Sequence, residues 1–180
     1  VMQAVLDQGA DIINDIWALR QGEAVDIVAA HPRCGVCLMH MHREPQTMQA
    51  QPMAGDVLGP VIEFLNERVG ALSSRGVATA RITVDPGIGF GKTVQQNFSL
   101  LARQAEVAAA TGCVVLAGWS RKSTLGSVTG HQQPGDRVAA SVAAALLAVE
   151  RGAAVVRVHD VRETVDALSV LKQLSGAETL

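Results

Sequence analysis

"AAVVRVHDV", residues 153–161, starts as one kind of sequence and ends as another. Four of its first five residues are Ala or Val, the composition of a strand buried on both faces of a parallel sheet. A cation, an imidazole and a carboxylate (Arg157, His159 and Asp160) then follow with no turn before them. Side chains alternate along a strand, so Arg157 and His159 share one face and Asp160 takes the other. Two nitrogen donors on one face of a strand end can hold an anion.

The same design recurs upstream. Short apolar runs fall at 11–16, 35–41, 81–85, 114–118 and 153–158, and helical patterns at 1–8, 22–31, 56–75, 95–110, 136–151 and 162–174. Asp56 is placed to cap the helix over 56–75, whose Val57, Val61, Phe64, Leu65 and Leu72 lie near helical spacing. Gly9, Gly76, Gly112 and Gly152 each follow a helical pattern, where a left-handed cap is wanted. Strands alternating with helices imply an α/β fold with a parallel sheet, either doubly wound or part of a (β/α)8 barrel. Asn14, His40, Asp85, Ser120 and His159 stand at or just past the C-terminal ends of their runs. Polar groups at that end of many strands point to the top of a barrel, whereas an open sheet gathers its ligand groups at one switch point. The expected architecture is a partial (β/α)8 barrel of about five parallel strands with their helices, forming one incomplete domain over 1–180. A full barrel needs eight strands and roughly 250 residues, so three strands are expected to lie outside this sequence.

Composition narrows the function. A formal net charge of -2 argues against general nucleic-acid or membrane-surface binding, and an aromatic content of 3% without Tyr argues against stacking on single strands. The longest apolar run, "VAASVAAALLAV" (138–149), is too short to span a bilayer. The chain opens on an amphipathic "VMQAVLDQGAD" rather than a secretory signal, and three cysteines fit a reducing cytoplasm better than a disulfide framework.

The polar motifs each have a plain alternative. "DPGIGFGKT" (85–93) ends like a P-loop, but Pro86 stands where that motif needs its first glycine. It reads better as a Gly-rich βα loop that turns sharply beside Asp85. A carboxylate there can accept two hydrogen bonds from an N–H/NH₂ edge such as a 2-aminopyrimidinone presents. "GWSRKS" (118–123) suits phosphate or a polar heterocycle, or is simply a solvated basic loop. Cys34, Cys37, His40 and His42 invite a metal reading. Cys37 and His40 face opposite ways on a strand, however, and no second CxxC pair is present, so no metal ligands are assigned. Met39 shares a face with Cys37 and Met41, where a thioether is usually core. Asn14 and Asp15 take opposite faces, one toward the barrel interior and one toward the helices.

Taken together, "GADIINDI", "CLMHM…PQTMQ", "DPGIGFGK…QN…LL", "GWSRKS" and "VVRVHDV.ET" occur in order and resemble the dihydropteroate synthases, pterin-binding barrel enzymes of folate biosynthesis. The resemblance runs from about residue 4 to 174. It implies a cytoplasmic transferase of an alkyl group other than methyl, the target of sulfonamides. The implied reaction condenses 6-hydroxymethyl-7,8-dihydropterin diphosphate with p-aminobenzoate to give 7,8-dihydropteroate and diphosphate. By resemblance, Asn14 and Asp85 bind the amino-pyrimidinone edge of the pterin, and Met39 and Gly118 line its pocket. Lys122 bonds its far side, Phe90, Lys122 and Ser123 border the aminobenzoate, and Arg157 and His159 clamp the diphosphate. Lys122, Arg157 and His159 are the implied catalytic groups. Magnesium is the implied cofactor and a homodimer the implied assembly, with no nucleic acid or membrane as partner. The family's first three strands have no counterpart here, nor does the Asn that helps to place magnesium and diphosphate. Weak or absent synthase activity is therefore expected of the 180 residues alone. The alternatives are a methyltetrahydrofolate-binding module of a corrinoid methyltransferase, which has no need of a diphosphate clamp, and a non-catalytic remnant.

Overall fold

The computed structural model describes residues 1–44, 46–48 and 50–177, with side chains to 174. Pro45 and Gln49 of the "PQTMQ" motif lie outside the described residues. In chain order the elements are α1 (Met2–Asp7), β1 (Ile12–Asp15), α2 (Ala24–Ala30), β2 (Gly35–Met39), α3 (Leu58–Ser73), β3 (Ile82–Asp85), α4 (Val94–Ala102), α5 (Gln104–Thr111), β4 (Val114–Ala117), α6 (Ser123–Thr129), α7 (Val138–Glu150), β5 (Ala153–Val156) and α8 (Val161–Ala177). All strand pairs are parallel, and the strand order is β1-β2-β3-β4-β5. Strands that neighbour in sequence also neighbour in space, with no reversal point. This is the winding of part of a (β/α)8 barrel, not of a doubly wound sheet.

The two sheet faces differ as the alternation requires. Ile13, Val36, Leu38, Ile82, Val84, Val115 and Ala117 join the main core with Leu58, Val61, Leu65 and Leu72 of α3. The opposite face carries Asn14, Cys37, Thr83 and Val114 in one register row, with Met39 beside Asp85 above it. Its central members Cys37, Met39 and Asp85 are buried, whereas Ile12, Val114 and Val155 are 64%, 51% and 42% exposed. The stretch at 153–158 is therefore not buried on both faces. It is the outer strand β5, paired only with β4 among the described residues.

Local corrections have local causes. The helix expected over 95–110 is two, because Arg103 leaves helical geometry (φ −108, ψ 19) where it meets Asp56 at 2.9 Å and Glu106 at 2.9 Å. Helix α6 was not expected, since seven residues with a central glycine show no amphipathic window. Gly126 is there because a Cβ would lie 2.6 Å from both Arg137 Nε and the His131 carbonyl. Val57, not Asp56, holds the N-cap position of α3, but the Asp56 carboxylate still accepts from the Leu58 N–H at 3.1 Å. Asp15 turns toward the helices and accepts from Leu19 N–H at 2.7 Å, closing the turn after β1. No helix among the described residues is long and apolar enough to cross a membrane.

Two left-handed glycines separate the two reasons for having one. Gly152 (φ +90) has nothing within 4 Å of a built Cβ, whereas at Gly87 (φ +72) a Cβ would sit 1.7 Å from the His40 carbonyl. Gly152→Ala carries only the left-handed cost, about 1 kcal/mol. Gly87→Ala must also displace a strand end, and about 3 kcal/mol or more is expected. Urea unfolding of the two variants checks this, and equal losses would refute it.

Candidate active site

The loop after β3 is built around a buried cation. Lys92 is 4% exposed, and its Nζ lies 2.9 Å from His40 Nδ1, 2.9 Å from the Gly87 carbonyl and 3.2 Å from the Phe90 carbonyl. An ammonium has three protons, and here three acceptors meet them. This turns Lys92 inward, opposite to the outward phosphate-binding lysine of a P-loop. Thr93 and Gln96 form a capping box that starts α4. Asn97, the N of the "QN" motif, accepts from Gly89 N–H at 2.9 Å and donates to Thr124 Oγ1 at 3.0 Å, tying the loop to α6. At the head of the loop the Gly87 N–H donates to Asp85 Oδ1 at 2.7 Å.

The facing wall comes from β4 and β5. The Arg157 guanidinium lies across Gly118, where a Cβ would stand 2.8 Å from Arg157 Nη2 and 3.7 Å from Asp85 Oδ2. Glycine at 118 is what lets the cation approach the acid. Lys122 Nζ sits 4.3 Å above the centre of the Phe90 ring, a cation–π contact that joins the two loops. Ser120 Oγ accepts from the His159 backbone N–H at 3.1 Å and lies 2.9 Å from His159 Nδ1. Ser120 thus fixes the orientation of the imidazole through both its backbone and its ring. Asp160, four residues beyond the end of β5, is held by Arg121 through contacts of 2.5 and 3.2 Å. Arg121 has a left-handed backbone (φ 58). Its amide donates to Ser141 Oγ at 2.9 Å and its carbonyl accepts from Arg137 Nη1 at 2.9 Å. Gly118, Ser120, Lys122, Arg157 and His159 line a cleft of about 470 Å³.

Of the residues singled out from the sequence, Asp85, Gly118, Lys122, Phe90 and Arg157 come together, with His159 on the rim of the same cleft. Met39 lies beside Asp85 in register. Asn14 is exposed on β1, in register with Cys37 and two strands away from Asp85. Ser123 is exposed at the first turn of α6. Sequence reasoning missed the work of Lys92, Asn97 and Arg121. All three stand in quoted motifs, but nothing local shows which partners they reach. Cys34 and His40 are engaged elsewhere, by the Val28 carbonyl at 3.8 Å and by Lys92.

Electrostatics follow burial. Desolvation pushes the Asp85 carboxyl up, while the Gly87 N–H and the charges of Arg157, Lys122 and Lys92 pull it back. Burial lowers the Lys122 ammonium, opposed by Asp85. Burial, then the Asp85 charge, raises the Cys37 thiol to about 12, so it is an inert wall and no nucleophile. Among the described residues no group of three or more His, Cys, Asp or Glu side chains is placed to hold a metal ion.

Residues 1–159 match the family model described as pterin binding enzyme. The chain is 48% identical over 168 residues to a dihydropteroate synthase of Neisseria meningitidis, covering 92% of this chain and 59% of that protein. It is 41% identical over 170 residues to that of Escherichia coli, covering 94% of this chain and 59% of that protein. The crystal structure of the Stenotrophomonas maltophilia dihydropteroate synthase superposes with a TM-score of 0.93 at 48% identity, covering 97% of this chain and 65% of that one. The Burkholderia cenocepacia enzyme complexed with 7,8-dihydropteroate gives 0.91 at 53% identity, covering 99% and 65%. The chain spans about 59% of the length of these curated relatives.

His40 has a consequence for stability. Burial, with the Lys92 charge next, lowers its imidazole from 6.5 to about 3. The unfolded chain therefore takes up a proton that the fold refuses. The stability that His40 carries is complete above pH 6.5 and is lost as pH falls toward 3. Within that window the wild type is expected to lose up to ~1.4 kcal/mol per pH unit more than His40→Gln. Urea unfolding at stepped pH measures the difference, and parallel profiles would refute it.

Proposed function

The chain belongs to the pterin-binding enzyme family, and from that premise we propose that it carries the pterin pocket and leaving-group clamp of a dihydropteroate synthase. Its substrates in this reading are 6-hydroxymethyl-7,8-dihydropterin diphosphate and p-aminobenzoate. One observation carries the reading: a buried carboxylate, Asp85, lies directly behind Gly118, which lines one cleft together with Lys122, Arg157 and His159.

Each residue has a task set by its chemistry. Asp85 Oδ1 is oriented by Gly87, and the carboxylate accepts from the ring N–H and amino group of the pterin. Asn14 supplies a further donor and acceptor, Met39 and Gly118 give the flat wall, and Lys122 bonds the ring's far side. Phe90, Lys122 and Ser123 border the aminobenzoate. In the reaction the methylene C–O bond breaks and its electron pair leaves on the diphosphate oxygen. Arg157 and His159 stand where that charge grows, so they favour the transition state over the bound substrate. The Asp85 charge offsets the positive charge left on the methylene and ring. The aniline nitrogen forms the new C–N bond and releases its proton to solvent. No step is assigned to a metal.

The cations on the cleft favour this reading over a methyltetrahydrofolate module, which releases no diphosphate. The cytoplasmic setting is supported by three buried, unbridged cysteines, Cys34, Cys37 and Cys113. The homodimer is supported by an apolar groove lined by Leu146, Val170, Leu171 and Leu174 on α7 and α8.

Calorimetric titration with the dihydropterin diphosphate, and with 6-hydroxymethyl-7,8-dihydropterin lacking the diphosphate, tests the assignment. Asp85→Asn is expected to weaken both ligands roughly 10- to 100-fold, the worth of one or two charge-assisted hydrogen bonds. Arg157→Gln is expected to weaken only the diphosphate form. Binding of neither ligand by the wild-type chain, or equal loss of both in Arg157→Gln, would overturn it.

A further inference from the structure

Lys92 and His40 are buried, polar and unused by the chemistry above. Among the described residues Lys92 forms no ion pair with a carboxylate. Its acceptors are His40 Nδ1 and the carbonyls of Gly87 and Phe90, all within 3.2 Å. Burial still lowers the Lys92 ammonium to about 7, against the pull of Asp85, so the three acceptors offset only part of the cost of burying the charge. His40 is itself fixed on three sides. Its backbone N–H donates to the Asp85 carbonyl at 2.9 Å, its Nδ1 faces Lys92, and its ring meets the edge of Phe64 from α3 at 5.1 Å.

The two carbonyls that Lys92 holds belong to the residues that shape the site. Gly87 receives Lys92 on its carbonyl and gives its N–H to Asp85 Oδ1 at 2.7 Å. Phe90 receives Lys92 on its carbonyl and presents its ring beneath Lys122 at 4.3 Å. Displacement of Nζ would release both the residue whose N–H aims the acid and the residue that forms the aromatic wall.

We propose that Lys92 and His40 act as a buried positioning pair that sets, through Gly87 and Phe90, the Asp85 carboxylate and the Phe90–Lys122 wall for a pterin-like ring. The ligand named here rests on the function proposed above; the positioning itself does not. The charged and titratable groups facing Asp85 are Arg157 from the end of β5, Lys122 before α6, Lys92 from its own loop and Cys37 from β2. Removal of Lys92 takes one cation from that set, so Asp85 then holds its proton to higher pH.

The test uses Lys92→Met and His40→Gln in the full chain. The second variant keeps an acceptor for Lys92 if the first fails to fold. Without ligand, two NMR signals are followed: hydrogen exchange of the Gly87 amide and the pH titration of the Asp85 carboxyl carbon. Lys92→Met is expected to speed Gly87 exchange at least tenfold beyond any change in global unfolding and to move the Asp85 titration upward. His40→Gln is expected to give a smaller change in exchange of the same sign. With ligand, the dihydropterin diphosphate is expected to bind Lys92→Met at least tenfold more weakly than wild type. Unchanged Gly87 and Asp85 signals in the folded variants, or a loss of affinity no larger than the loss of folded protein, would overturn the proposal. Failure of the wild type to bind the pterin would instead overturn the assigned function, with the NMR signals still deciding the positioning role.

Discussion

A carboxylate buried at the end of a parallel strand sets the terms for everything around it. Asp85 is 2% exposed, and an ion so placed must find hydrogen bonds and opposite charge within its first neighbours or give up its charge. The chain answers with a backbone N–H from its own loop and with cations from three different segments. Each answer demands something further. The N–H requires a glycine pressed against the carbonyl of the preceding strand end, and the Arg157 cation requires a glycine at 118. Lys122 requires a loop that turns left-handed at its neighbour. The site is thus a chain of obligations that starts from one buried acid.

Two cations near that acid are used in opposite ways. Lys92 is enclosed, with every proton assigned to an acceptor, and has no reach into the cleft. Lys122 lies over an aromatic face and keeps its ammonium beside the open volume. The same side chain serves as scaffold in one place and lines the open cleft in the other. The difference is made by neighbours rather than by residue type.

Much of this was legible in the sequence. The five strands fall within two residues of their expected runs, because alternating apolar runs and helical patterns are local signals. The polar strand ends announced the functional edge of the sheet, and Asp85, Gly118, Lys122 and Arg157 meet there. What the sequence hid is long-range or edge-dependent. The strand composition at 153–156 reads as buried, yet exposure there depends on how many neighbours β5 has, which no local pattern records. The inward turn of Lys92 depends on a histidine 52 residues away. The pairing of Arg121 with Asp160 spans 39 residues. Helix α6 is too short to show a period at all.

The anchoring of Arg121 also bears on the order in which the site assembles. Its strained backbone is held by Arg137, Ser141 and Asp160, which lie 16, 20 and 39 residues further along the chain. The loop bearing Lys122 has no such support until α7 has docked and the last strand has been laid against β4. By contrast, Asp85, Gly87, His40 and Lys92 all lie between positions 40 and 92, and that half of the cleft is complete as soon as β2 and β3 pair. As the chain leaves the ribosome, its acidic half can settle first, whereas the basic half waits for residue 160. A chain interrupted before residue 118 would carry the buried acid and its braced loop without the glycine wall and the cations that face them.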